Sequence, residues 1–91
     1  MTTFSILADK FRSGTPVLSA WCGLPDPSVA GLLAREGFDA ITIDMQHGAI
    51  DFAATVRAIP LVAAAGKPTL VRIPVGEFAT ASRLLDAGPR P

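Results

Sequence analysis

The chain has 91 residues, 49% of them apolar and only 18% charged, with eight basic side chains balancing eight acidic ones. That is the length of one small domain, and the charged fraction falls below the roughly 25% of an average soluble domain. Part of the surface is therefore expected to be covered, by another subunit of a homo-oligomer or by more polypeptide. No lysine or arginine cluster provides the footprint of a nucleic-acid or anionic-membrane binder. A lone Cys22 excludes an intrachain disulfide and a cysteine-built zinc site. Met1-Thr2-Thr3-Phe4-Ser5 lacks the basic region and long apolar stretch of a signal peptide. The longest apolar run, near Leu61 to Ala65, is too short for a membrane span. These features predict a soluble cytoplasmic protein with neither a nucleic-acid nor a membrane partner.

In chain order, Phe4, Leu7, Ala8 and Phe11 recur at helical spacing, and Ser13-Gly14-Thr15-Pro16 ends that helix. Val17 to Trp21 reads as a short buried strand. Asp26-Pro27 supplies an N-cap and a first-turn proline for a helix whose buried stripe is Val29, Ala30, Leu32 and Leu33, with Gly37 as its C′ residue. Ala40 to Ile43 is the next strand. Asp51 caps a helix through Phe52, Val56 and Ile59, which Pro60 kinks or ends. The apolar stretch resumes at Leu61 to Ala65 and closes at Gly66-Lys67-Pro68. Thr69 to Ile73 is a third strand, stopped by Pro74, and Phe78, Ala81 and Leu85 mark a last helix before Gly88.

A helix followed by three strand–helix units predicts an α/β fold with a parallel sheet. The nearly continuous apolar strands predict burial on both faces. Three units cannot close a barrel, which takes about eight, and an open sheet would leave two bare edges. Residues 1–91 thus read as the N-terminal part of a larger domain, cut where a fourth strand is due.

Candidate chemistry gathers at the strand ends, where parallel sheets carry their active groups. His47, the only histidine, follows the second strand in Asp44-Met45-Gln46-His47-Gly48, and histidine is the side-chain type suited by its chemistry to both taking and giving a proton. It is either a proton-transfer group or a loop residue closing the turn at Gly48. Asp44 either orients the imidazole or caps the loop. Trp21 is core or a substrate wall. Arg72 interrupts an apolar strand and must meet an anion, either a bound carboxylate or enolate oxygen or an internal acid such as Asp44. Asp86 stands at a helix C-terminus, an unfavourable place for a carboxylate. No metal-spaced carboxylate pair, phosphate loop or nucleophile elbow is present.

Taken in order, Gly37-Phe38-Asp39, Ile43-Asp44-Met45-Gln46-His47-Gly48, Leu70-Val71-Arg72-Ile73-Pro74 and Leu84-Leu85-Asp86-Ala87-Gly88 resemble the HpcH/HpaI aldolase family. Leu18-Ser19-Ala20-Trp21 is similar to that family's first strand. The resemblance implies a partial TIM (β/α)8 barrel, an N-terminal helix plus about three βα units. It implies a class II aldolase, a carbon–carbon lyase acting on 4-hydroxy-2-oxo acids to give pyruvate and an aldehyde. His47 would be the proton acceptor, Arg72 would bind substrate and stabilise the enolate, and Asp86 would raise the basicity of the histidine. Simple βα alternation places Asp86 opposite the active face, so it would reach His47 only through a bend or a subunit contact. Gln46 is similar to the subgroup acting on simple hydroxy-oxo acids. The divalent metal (Mg, Mn or Co) would have its ligands beyond residue 91, and Lys10 and Lys67 lie off the strand ends, in keeping with a metal route. Pro89-Arg90-Pro91 departs from the family pattern, so the chain alone is expected to be inactive. Two alternatives are a non-catalytic fragment acting by self-association and a citrate-lyase β-like acyl-CoA lyase.

Overall fold

In the computed structural model, which describes residues 3–88, the elements alternate as the sequence predicts. They are α1 (Thr3–Ser13), β1 (Ser19–Cys22), α2 (Pro27–Ala34), β2 (Ala40–Asp44), α3 (Phe52–Ala64), β3 (Thr69–Arg72) and α4 (Phe78–Ala87). The strands form one parallel sheet in the order β1-β2-β3, with Cys22 beside Ile43 and Asp44 beside Arg72. The departure from family pattern at Pro89-Arg90-Pro91 lies outside the described residues.

The helix starts follow from their caps. Asp26 Oδ1 accepts from the Ser28 backbone N–H at 2.9 Å, with Pro27 just inside α2. Asp51 Oδ1 accepts from the Ala54 N–H at 2.9 Å at the start of α3. Each satisfies a donor that the first helical turn leaves without a partner. Pro60 neither ends nor divides α3, which runs through it to Ala64. Pro60 is exposed while its neighbours Ile59 and Val62 are packed in the interior, so burial on either side offsets the one lost backbone bond. Gly37 is not the C′ residue expected: α2 ends at Ala34, with Arg35 in a right-handed conformation and Arg35 and Glu36 donating to Leu32 and Leu33.

The core lies between the sheet and α2 and α3. Ile41 and Ile43 point into it and meet Ala30, Ala34, Ala58 and Val62. Small residues on both helices let them approach closely; a methyl group on Gly31 would sit 3.1 Å from the Leu61 Cβ. Only β2 is buried along its whole length. The strands β1 and β3 are not covered on both faces: β1 alternates exposed and buried, and β3 is at best half-buried. The physical reason is that α2 and α3 cover one face of the sheet, while the opposite face carries no helix over Trp21 or Leu70. Leu32, expected in the buried stripe of α2, is also exposed; it turns outward beside Leu61 instead.

α1 is tied across the N-terminal end of the sheet. Lys10 pairs with Asp39, whose other oxygen accepts from the Leu18 N–H at 2.9 Å. Lys67 donates to the Phe38 carbonyl at the same end. Both lysines thus stand at the opposite end from His47 and Arg72, and neither is placed for imine chemistry with a substrate held there.

Candidate active site

Residue parity on β2 decides which side chains face the uncovered side. Ile41 and Ile43 turn to the helices, so Thr42 and Asp44 turn the other way. The register places Trp21 and Arg72 on that same face. Thr42 Oγ1 and Ser19 Oγ share a hydrogen bond of 2.6 Å there, which accounts for a buried hydroxyl in mid-strand.

Asp44 organises the C-terminal end of this face. Its Oδ1 accepts from Arg72 Nε at 3.0 Å and from the backbone N–H groups of Gln46 and His47, each at 3.0 Å. Its Oδ2 accepts from Arg72 Nη2 and from Trp21 Nε1, the latter at 3.2 Å. The Asp44 side chain is 7% exposed and that of Arg72 38%. The fork-to-fork pairing with the Arg72 guanidinium, then the N–H of His47, holds the Asp44 carboxyl well below the usual carboxylate range. The same contact with Asp44 raises the pKa of Arg72. The Arg72 guanidinium also lies over the Trp21 ring, 5.3 Å from its centroid.

Of the two readings open for each residue, these contacts select one at several positions. Arg72 is paired with the internal acid Asp44. Asp44 caps the loop through the backbone N–H groups of Gln46 and His47, and no hydrogen bond or ion pair joins it to the imidazole. Trp21 is a wall of the open face, 59% exposed and anchored by its N–H. Arg72 keeps donors in reserve: two of its five N–H groups go to Asp44, leaving three. The His47 ring is exposed and makes no hydrogen bond among the described residues. Asp86 is exposed in the last turn of α4, and among the described residues no hydrogen bond or ion pair joins it to Asp44, His47 or Arg72.

The loops behind this cluster are locked by two glycines. A Cβ on Gly48 would fall 2.2 Å from the Asp44 carbonyl oxygen and 2.8 Å from the Gly23 Cα. The Ala49 N–H donates to the Gly23 carbonyl at 2.7 Å, joining the loop after β1 to the loop after β2. Sequence reasoning singled out Gly48 but missed Gly23; the available signal was a glycine directly after each of two neighbouring strands.

Among the described residues no three of His, Cys, Asp and Glu are grouped to hold a metal ion. Asp44, the one buried carboxylate at the site, already accepts five hydrogen bonds and has no lone pair to spare. The residues present do not fit a divalent metal.

No family model matches the chain. A hydroxypyruvate/pyruvate aldolase of Rhizorhabdus wittichii is 37% identical over 78 residues, covering 86% of this chain and 31% of that protein. An HpcH/HpaI aldolase/citrate lyase family protein from Burkholderia cenocepacia J2315 superposes with a TM-score of 0.78 at 35% identity, over 93% of this chain and 34% of that one. The chain belongs to the HpcH/HpaI aldolase family. The citrate synthase SbnG is a further structural neighbour, with a TM-score of 0.79 at 27% identity over 92% of this chain and 34% of that one. The chain spans about a third of the length of these relatives. Its parallel α/β architecture is that of the HpcH/HpaI aldolase/citrate lyase structures. No helix among the described residues is long and apolar enough to cross a membrane.

Proposed function

We propose that this chain is the N-terminal part of an aldolase barrel that cleaves or forms 4-hydroxy-2-oxo acids, yielding pyruvate and an aldehyde. The observation that carries this reading is the held guanidinium. Asp44 grips Arg72 along one edge and leaves three N–H donors, at the end of the sheet where the loop after β2 carries the exposed His47. A planar cation fixed in this way is complementary to the carboxylate and oxo oxygens of an oxo acid.

In cleavage, His47 accepts the proton of the C4 hydroxyl. The C3–C4 bond breaks, its electron pair passes into a C2–C3 enolate, and the aldehyde departs. Arg72 stabilises the enolate oxygen, and protonation at C3 then gives pyruvate. Trp21 walls the substrate, and Asp44 keeps Arg72 and the His47 turn in register. A divalent ion (Mg²⁺, Mn²⁺ or Co²⁺) belongs to this proposal only as a group held by residues outside this chain, and none of the steps above is routed through it. A contribution of Asp86 to the basicity of His47 would need a contact that this chain does not make by itself.

The test joins this chain to the remaining two thirds of the Rhizorhabdus wittichii relative and follows pyruvate release from a 4-hydroxy-2-oxo acid with each of the three metals. The joined protein is expected to release pyruvate and the 91-residue chain to release none. Activity that survives a chelator and His47→Ala would overturn the mechanism. A second reading, an acyl-CoA lyase of the citrate-lyase β kind, draws on the likeness to the aldolase/citrate lyase structure. Turnover of a CoA thioester by the joined protein would favour it. A third, a non-catalytic fragment, is favoured if the joined protein folds and turns over neither substrate.

A further inference from the structure

Trp21 meets both members of the Asp44–Arg72 pair from the far side of the central strand. It stands on β1 opposite Thr42, while Arg72 stands on β3 opposite Asp44. The two side chains therefore lean over Asp44 from either flank. The carboxylate is held unequally. Its Oδ1 is fixed by two backbone N–H groups, those of Gln46 and His47, each at 3.0 Å. Its Oδ2 has no backbone donor among the described residues; besides Arg72 Nη2 it accepts from Trp21 Nε1, at 3.2 Å. The guanidinium is held unequally too. Two bonds to Asp44 resist slip within the plane the two groups share, but they leave tilt out of that plane soft. The Trp21 ring, with its centroid 5.3 Å from the guanidinium carbon, stands on that soft side and attracts the cation to its face. Tryptophan joins a donor-only N–H to the widest aromatic face, and Trp21 is the only tryptophan in the chain.

We propose that Trp21 is a positioning residue for Arg72: through Asp44 Oδ2 and through its ring it sets the plane in which the three remaining N–H donors meet the oxo acid. The proposal rests on the aldolase reading and gives Trp21 a duty separable from that of a wall. The two duties differ in the state they stabilise. A wall touches bound substrate and transition state alike, so its loss raises KM and leaves kcat unchanged. The orientation of Arg72 counts most once negative charge has moved onto the enolate oxygen, so its loss lowers kcat.

The test uses two variants and two readouts. Trp21→Phe keeps a ring and removes the N–H, whereas Trp21→Leu removes both. The side chain lies outside the core, so far-ultraviolet circular dichroism of each variant is expected to match the wild type. In the joined protein acting on a 4-hydroxy-2-oxo acid, Trp21→Leu is expected to lower kcat about tenfold or more, and Trp21→Phe to recover part of that loss. In the 91-residue chain, hydrogen exchange at the Arg72 Nε–H is expected to quicken about tenfold in Trp21→Leu and by less in Trp21→Phe. If Trp21→Leu fails to fold, the same two readouts on Trp21→Phe decide. A variant whose KM rises with kcat unchanged, or whose Nε–H exchanges at the wild-type rate, overturns the proposal. A joined protein that releases no pyruvate with Trp21 in place overturns the aldolase reading instead, and the exchange rate then decides the positioning by itself.

Discussion

The two faces of the sheet are built from the same five residues of β2 and do opposite work. On the helix side, Ile41 and Ile43 are fully buried among alanines and a valine. On the other side, Thr42 and Asp44 are buried as well, yet the hydroxyl of one and both carboxylate oxygens of the other are hydrogen-bonded. Burial alone therefore does not distinguish a core from a site; the chemistry of what is buried does. The helix face gains stability from apolar area removed from water. The open face spends part of that stability on holding a cation in one orientation.

Substitutions on each side test this division. Ile43→Ala should cost about 3 kcal/mol of stability in urea unfolding, the usual loss for a large aliphatic side chain in a closed core, while leaving the Arg72–Asp44 pair intact. Gly48→Ala pushes a methyl group onto the Asp44 carbonyl and should cost about 2 kcal/mol. Unlike Ile43→Ala, it should also shift the Arg72 Nε–H resonance, because the turn bearing the Asp44 contacts has to open. A Gly48→Ala chain with an unmoved Nε–H signal would break the link between loop and guanidinium. Thr42→Val leaves Ser19 with only its bond to the Ala40 carbonyl and should cost about 1 kcal/mol.

Acid sharpens the comparison without altering the core. Folding lowers the pKa of Asp44, through Arg72 first and the His47 N–H second, whereas an unfolded aspartate titrates near about 3.9. As pH falls, the unfolded chain takes up this proton before the folded chain does. The stabilisation from Asp44 is therefore complete above that value and is lost progressively below it. Urea midpoints measured between about pH 6 and pH 3 should fall less for Asp44→Asn than for the wild type. Equal slopes would mean that the Asp44 contacts are not formed in solution.

Much of the fold was legible because local signals agree with the global arrangement. Asp26-Pro27 and Asp51 start helices, Gly66-Lys67-Pro68 and Pro74 bound β3, and the strands carry apolar runs. One-sided coverage was not legible, because Trp21 and Leu70 read as core residues in any apolar strand. Leu32 was misplaced for the same reason: helical spacing marks a stripe but not what packs against it. That Trp21, Asp44 and Arg72 stand at neighbouring strand ends was legible, while their partner choices were not. Whether Arg72 meets Asp44 depends on a strand register linking residues 28 positions apart. The Gly23–Gly48 contact joins two loops that no local pattern connects. Asp86 was singled out by its place at a helix C-terminus and given a role by family resemblance, and no hydrogen bond or ion pair among the described residues joins it to the cluster.

The central proposal is that His47, on the loop after β2, accepts the proton while Arg72, held by Asp44 at the same end of the sheet, stabilises the enolate. It is tested most directly by steady-state pyruvate release from the joined protein with and without His47→Ala. The expected result is a loss of about 10²-fold or more in kcat, with the Arg72 Nε–H signal unchanged. A His47→Ala protein that keeps its kcat would contradict the account.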